Sequence, residues 1–167
     1  IDRRAIQLLR QHNILSLMTW VGGFCDQTHA DMWRGLRQIV SYDPDQITVL
    51  QVTPHRWTPY YSLARSRRVV QADRTKWDYK HQVLAMDHMR PWQLMMWVKF
   101  IEVVAQTRPR ALRRFVWNRE VRIRHAIRWY YRMGRRVWFH EIWQFLTQDR
   151  FLSPGVPLHE FSGETLE

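Results

Sequence analysis

His55 is the side chain whose type and setting most directly suggest chemistry. It lies in Thr53-Pro54-His55-Arg56-Trp57-Thr58-Pro59-Tyr60-Tyr61, a loop held by two prolines. An imidazole there can take or give a proton near neutral pH. Trp57, Tyr60 and Tyr61 would suit a flat aromatic ligand by stacking. The same residues also read as a loop histidine held by backbone bonds, with aromatics packing onto the downstream extension. Gly22-Gly23 is the second candidate, since glycines let a backbone approach a nucleoside-like ligand or shape a tight turn. Cys25, the single cysteine, is either a thiol near a helix start or a small buried apolar residue. Of eight histidines, His81 and His88 fall at helical spacing, but no H-E-x-x-H or Cys/His cluster exists, so no metal site is expected. No phosphate-cradling G-x-G-x-x-G and no G-x-S-x-G turn occurs.

Two strands and a helix must position these groups. Ile14 to Val21 is an apolar run of strand length that breaks at Gly22-Gly23. Thr28-His29-Ala30-Asp31 fits a helix capping box ahead of Met32, Leu36, Ile39 and Val40. Ser41-Tyr42-Asp43-Pro44-Asp45 supplies turn chemistry, and Gln46 to Val52 returns to strand. Strand, helix and strand in this order predict a parallel pair. Ligands of such units gather at the carboxyl ends of strands, here 21–26 and 52–60. Before the first strand, Ala5, Leu8, Leu9 and His12 form an amphipathic pattern.

After Tyr61 helical spacing dominates. Trp77, His81, Leu84 and His88 form one stripe, and Pro91 sits at a helix start. From Trp92 to Ala105 the polar Lys99, Glu102 and Gln106 occupy a narrow side, so that helix should be largely buried. Pro109 opens a short helix with Leu112, Phe115 and Val116. A last helix places Ile123, Ala126, Ile127, Tyr130 and Val137 on one face, opposite Arg124, Arg128, Arg132 and Arg135. That arginine stripe reads as a solvated face, a surface for anionic lipid or a protein partner, or a nucleic-acid contact. Against nucleic acid stand the lack of a binding motif and the tryptophans on apolar faces.

Charge divides the chain. Residues 1–61 hold six Lys/Arg against five Asp/Glu, residues 62–150 hold twenty against seven, and 151–167 hold none against three. The expected organisation is therefore an α/β unit over 1–61, a basic, Trp-rich helical extension over 62–150, and an acidic, flexible tail over 151–167. Hydrophobic content of 46% supports a packed core. The longest uncharged stretch runs about fifteen residues, short of the roughly twenty that span a bilayer. One cysteine excludes an internal disulfide framework and fits a reducing cytoplasm.

The runs LSLMTWVGGFCDQTHADMWRGL and DPDQITVLQVTPHRWTPYYSLA resemble the last third of a radical S-adenosylmethionine barrel. Val21, Gly23 and Asp26 match a strand-end pattern of the type G-x-I-x-G-x-x-E, with Thr19 at the first glycine's place. Thr53-Pro54 and Thr58-Pro59-Tyr60-Tyr61 match a second element, with Trp57 where glycine is usual. SYDPDQI, RRVVQADRTKWDYKHQVLA and RALRRF narrow the resemblance to the cobalamin-binding branch, and within it to the anaerobic cyclases of bacteriochlorophyll biosynthesis. It covers roughly Arg3 to Phe145. The fold it implies is the last βα units of a partial TIM-like barrel, followed by an α-helical C-terminal extension.

The activity implied is closure of the isocyclic, fifth ring on magnesium-protoporphyrin IX monomethyl ester. Another enzyme of the same branch, or a basic nucleic-acid-binding helical module, is the alternative. The cofactors implied are S-adenosylmethionine, a 4Fe-4S cluster and cobalamin. Val21 and Gly23 would touch S-adenosylmethionine, while His55, Arg56, Trp57 and Tyr60 would meet the porphyrin, the first two at a propionate. Such a cluster needs three thiolates spaced C-x3-C-x2-C, and one cysteine cannot hold it. This stretch therefore reads as a C-terminal fragment, inactive alone, with cluster and cobalamin sites outside it. Location is expected to be cytoplasmic, with peripheral membrane contact through Arg124, Arg128, Arg132 and Arg135 as one option.

Overall fold

The structure, a computed structural model, describes residues 2–163. Helix α1 (Asp2–Gln11) leads to strand β1 (Leu17–Gly22), helix α2 (His29–Tyr42) and strand β2 (Gln46–Gln51). Short α3 (Pro59–Leu63) comes next. After it come α4 (Pro91–Thr107), α5 (Pro109–Trp117), α6 (Val121–Gln144) and the single turn α7 (Leu158–Phe161). The protein is α/β, and its two strands pair parallel, Leu17 opposite Gln46 through Gly22 opposite Gln51.

The expected strand-helix-strand unit forms, and its local causes are visible. Thr28 caps α2 as expected: its hydroxyl accepts from the Asp31 N–H at 3.3 Å, while its own N–H donates to the Asp31 carboxylate at 2.8 Å. The Thr28 hydroxyl, which also donates to that carboxylate at 2.7 Å, and the Thr28 N–H hold the half-buried Asp31 carboxyl down to about 2. Thr28→Ala removes the hydroxyl half of the box, leaving the backbone N–H on Asp31, and is expected to cost about 1 kcal/mol, read as a lower urea midpoint with unchanged slope. Helix α2 runs through Ser41 and Tyr42 and ends at Asp43, which adopts the left-handed conformation (φ 55°) and donates its N–H to the Ile39 carbonyl. Strand β1 begins at Leu17, three residues later than expected. Asn13 turns the chain (φ 54°), and Ser16 is tied to Asp45 through its N–H (3.0 Å) and hydroxyl (2.8 Å).

Alternation along β1 separates two faces. Met18 and Trp20, with Ile47 and Val49 of β2, pack under α2 and α4 against Met32, Leu36, Ile39, Leu94, Val98 and Ile101. Leu17, Thr19 and Val21 face outward and are exposed, and among the described residues β1 pairs with β2 alone. The composition change at Ser62 does not interrupt packing, since α4 completes the core of α2 and β2. A second core joins Cys25, Tyr61, Ala64, Val69, Val83 and Leu84 to the fully buried Leu158, so residues from the acidic end dock here.

Three expectations are corrected. In α1 it is Ile6 that is buried, while Ala5, Leu8 and His12 are exposed. Trp77, His81, Leu84 and His88 do not share a helix. Asp73 caps only a 3-10 turn at Arg74–Lys76, Tyr79 takes a left-handed φ of 67°, and Val69 and Leu84 form an antiparallel bridge. In α4 the sides are exchanged: Lys99 and Glu102 are buried while Met96, Phe100 and Val103 are exposed. Lys99 is drawn in by two carboxylates, Glu102 at 3.0 Å and Glu141 from α6. A buried charge so paired avoids most of its desolvation cost.

Candidate functional site

The carboxyl ends of β1 and β2 remain joined past the last strand residues, because the Val52 N–H donates to the Gly22 carbonyl at 2.8 Å. Val21 leaves β1 with its side chain exposed on the open face. Gly23 turns the chain at φ 86°, with its N–H donated to the Gln27 side-chain oxygen at 2.7 Å. A Cβ at Gly23 would lie 3.2 Å from Leu94, so the glycine is needed for close packing as well as for the turn. Gly23 is buried with its amide taken by Gln27, so Val21 is the exposed member of the pair at this turn.

Backbone bonds shape the next loop. The His55 N–H donates to the Thr53 carbonyl, and the His55 carbonyl accepts from the Thr58 N–H and hydroxyl. The imidazole stacks on Trp57 with ring centres 5.3 Å apart and planes 8° from parallel, and meets Tyr79 at 5.2 Å on another side. Tyr79 is brought there by the Gln51 N–H donating to its carbonyl (2.7 Å) and by its own N–H donating to the Thr53 hydroxyl (3.3 Å). Trp57 is 78% exposed, yet His55 Nε2 is buried with no hydrogen-bond partner. A buried imidazole nitrogen left unpaired is costly and looks for a donor or acceptor.

The expected residues therefore divide. His55 and Trp57 come together. Arg56 braces the loop against the end of α7, donating to the Ser162 carbonyl at 2.8 Å. Tyr60 turns away from His55 towards Cys25: its hydroxyl accepts from the Cys25 N–H at 3.4 Å and lies 3.3 Å from Sγ. Phe24 meets the Tyr60 ring edge-on. Burial pushes the Tyr60 hydroxyl and the Cys25 thiol up, so both stay protonated at neutral pH. Cys25 is the small buried residue of the two readings offered for it.

Tyr79 escaped the sequence reading, as did a polar cluster beside the end of β2. There His81 Nδ1 lies 2.8 Å from Asp78, and Lys76 reaches the buried Asp149 at 2.7 Å. Gln51, a polar side chain ending an apolar strand, was the one local signal for it. Its amide donates to the Lys80 carbonyl at 2.8 Å. Among the described residues no group of three or more His, Cys, Asp or Glu could hold a metal ion.

Fold and site together define an α/β protein in which two parallel strands stop beside a loop where a histidine stacks on a tryptophan. No family model matches the chain. Over 162 residues, 97% of this chain, the sequence is 53% identical to the anaerobic magnesium-protoporphyrin IX monomethyl ester cyclase of Synechocystis sp.. The chain spans 32% of that relative's length. The resemblance carried by the motifs thus extends across nearly the whole chain.

Proposed function

We propose that this protein serves the reaction named for its Synechocystis relative, closing the isocyclic ring on magnesium-protoporphyrin IX monomethyl ester. The observation that carries the reading is 53% identity over 97% of the chain, a stretch that takes in both strand ends and the loop after them. In this reading the sheet is the last part of a radical S-adenosylmethionine barrel, and the substrate lies against the Pro54–Pro59 loop. Trp57 offers an exposed indole face to a macrocycle, and His55 Nε2 offers a buried hydrogen-bonding atom beside it. Arg56, next in the loop, would bring its guanidinium charge towards a propionate in this reading.

The implied cofactors fit these residues unequally. One buried cysteine cannot supply three thiolates, so the residues present do not fit a 4Fe-4S cluster, and nothing here holds cobalamin in this reading. Val21 and Gly23 would hold S-adenosylmethionine, which would supply a deoxyadenosyl radical and release methionine on one-electron reduction by a cluster that these residues do not hold. Ring closure is therefore not expected of this chain by itself.

Binding can be measured without turnover. Titrating the chain with magnesium-protoporphyrin IX monomethyl ester should shift the Soret band and quench tryptophan fluorescence. His55→Phe keeps the stack but removes the nitrogens, and should weaken binding about tenfold, the value of one hydrogen bond to a buried group. Unchanged affinity in that variant would remove His55 from the site. A wild-type chain that ignores the porphyrin would overturn the reading.

A further inference from the structure

Helix α6 carries arginines and aromatics on a face that no other element among the described residues covers. Arg122, Trp129, Arg132, Arg136, Phe139 and Trp143 recur at alternating spacings of three and four, with His125 completing the series, and all are exposed. Trp129 is 56% exposed, Phe139 60% and Trp143 68%. Leu146 and Phe151 carry the apolar end of this stripe beyond the helix. The stripe differs from the one expected. Arg124 and Arg128 turn towards α5, donating to the carbonyls of Asn118 (3.1 Å) and Phe115 (3.3 Å), with Arg128 over the Phe115 ring.

We infer that this outward face of α6 rests on the surface of an anionic lipid membrane. Six arginines and no acidic residue lie between Val121 and His140. Of the carboxylates that flank it, Glu141 is turned inward to Lys99 and Lys80, and Glu120 accepts the Arg122 N–H at the helix start. Positive charge without compensation is matched by anionic headgroups, which hold each basic side chain near the surface. Tryptophan prefers the same depth, with its ring in the acyl boundary and its N–H among headgroups. A helix seam with another protein helix would want apolar residues at each such position, and Arg132 and Arg136 stand at its centre. The face extends over about 36 Å. No helix among the described residues is long and apolar enough to cross a membrane, so α6 lies along the surface, aromatic end deeper. Membrane contact of this kind is separate from the ring-closing chemistry and does not depend on it.

The test is sedimentation of the intact chain with vesicles of phosphatidylcholine alone or doped with phosphatidylglycerol. Binding to the doped vesicles only is expected, and R122Q/R132Q/R136Q should weaken it on the order of 100-fold. R110Q/R113Q/R119Q, which removes equal charge at exposed positions around α5, should cost only a few-fold. Acyl-chain bromination of the lipid should quench tryptophan fluorescence in the wild type, and W129F/W143F should abolish most of that quenching. Several results would overturn the inference: no binding to doped vesicles, equal loss in both arginine triples, or binding without quenching. So would a self-associating wild type that R122Q/R132Q/R136Q makes monomeric while neither binds lipid, since the face would then be a protein contact.

Discussion

Asp43→Ala should lower the melting temperature by roughly 10 °C, from a loss of about 3–5 kcal/mol at about 2–4 °C per kcal/mol. Asp43 ends α2, and its carboxylate gathers side chains from three elements. Arg114 donates to both oxygens at 2.8 and 2.9 Å, Arg108 Nε donates to one at 2.9 Å, and Arg10 Nη1 lies 3.3 Å away. Asp45 takes Arg114 as well, at 2.9 Å. The side chains of Asp43 and Arg108 are each 9% exposed. Removing the carboxylate leaves two largely buried guanidiniums short of their partner, which costs far more than an exposed ion pair is worth. Burial alone would raise the Asp43 pKa, but the Arg114 and Arg108 guanidiniums outweigh it and hold the carboxyl below its usual range. A depressed folded value means that the contribution is complete above the unfolded value of about 4 and disappears as pH falls through the folded one. Asp43→Asn, which tolerates the left-handed backbone, should therefore trail the wild type in urea at neutral pH and approach it in strong acid. A variant that melts like the wild type at neutral pH would show that the network adds nothing.

Gly35→Ala should destabilise the protein by about 1–3 kcal/mol, the opposite of what helix propensity alone gives. Mid-helix glycine costs about 1 kcal/mol relative to alanine, so on an open helix face this change would help. Gly35 is not on an open face. A Cβ built there would fall 2.5 Å from the Trp20 indole and 2.9 Å from a second ring atom. A Cβ built at Gly22 would fall 2.6 Å from the same ring, on the strand side. Held between two glycines, the rigid indole cannot yield without moving β1 away from α2. Thermal melts of Gly35→Ala decide the matter by sign: a higher melting temperature would show that the ring does move.

The parts of this fold that were legible are those whose cause is local. Thr28 and Asp31 stand three residues apart and cap a helix by themselves, and the apolar runs on either side announce two strands. Gly23 and the loop histidine were found for the same reason. What the sequence concealed was made by distant partners. Lys99 and Glu102 looked like a wetted edge because Glu141, which draws Lys99 inward, lies 42 positions along the chain. The stripe from Trp77 to His88 had helical spacing, but Val69 claims Leu84 and Tyr79 is claimed by Gln51 and Thr53. Tyr60 suited a ligand by type, and only the fold turns it towards Cys25. The true outer stripe of α6 was hidden because spacing cannot tell which arginines α5 will occupy.

Strand β1 has a consequence beyond the site. Among the described residues β1 has β2 on one side only, so its far edge leaves backbone donors and acceptors without a strand partner, beside exposed Leu17 and Val21. Edges of this sort are commonly blunted by a charge, a proline or a bulge. Leu-Met-Thr-Trp-Val-Gly carries neither charge nor proline. The edge is thus a template on which a further strand can be laid down, and growth on a template is set by how crowded the molecules are. Self-association along this edge should therefore grow with protein concentration.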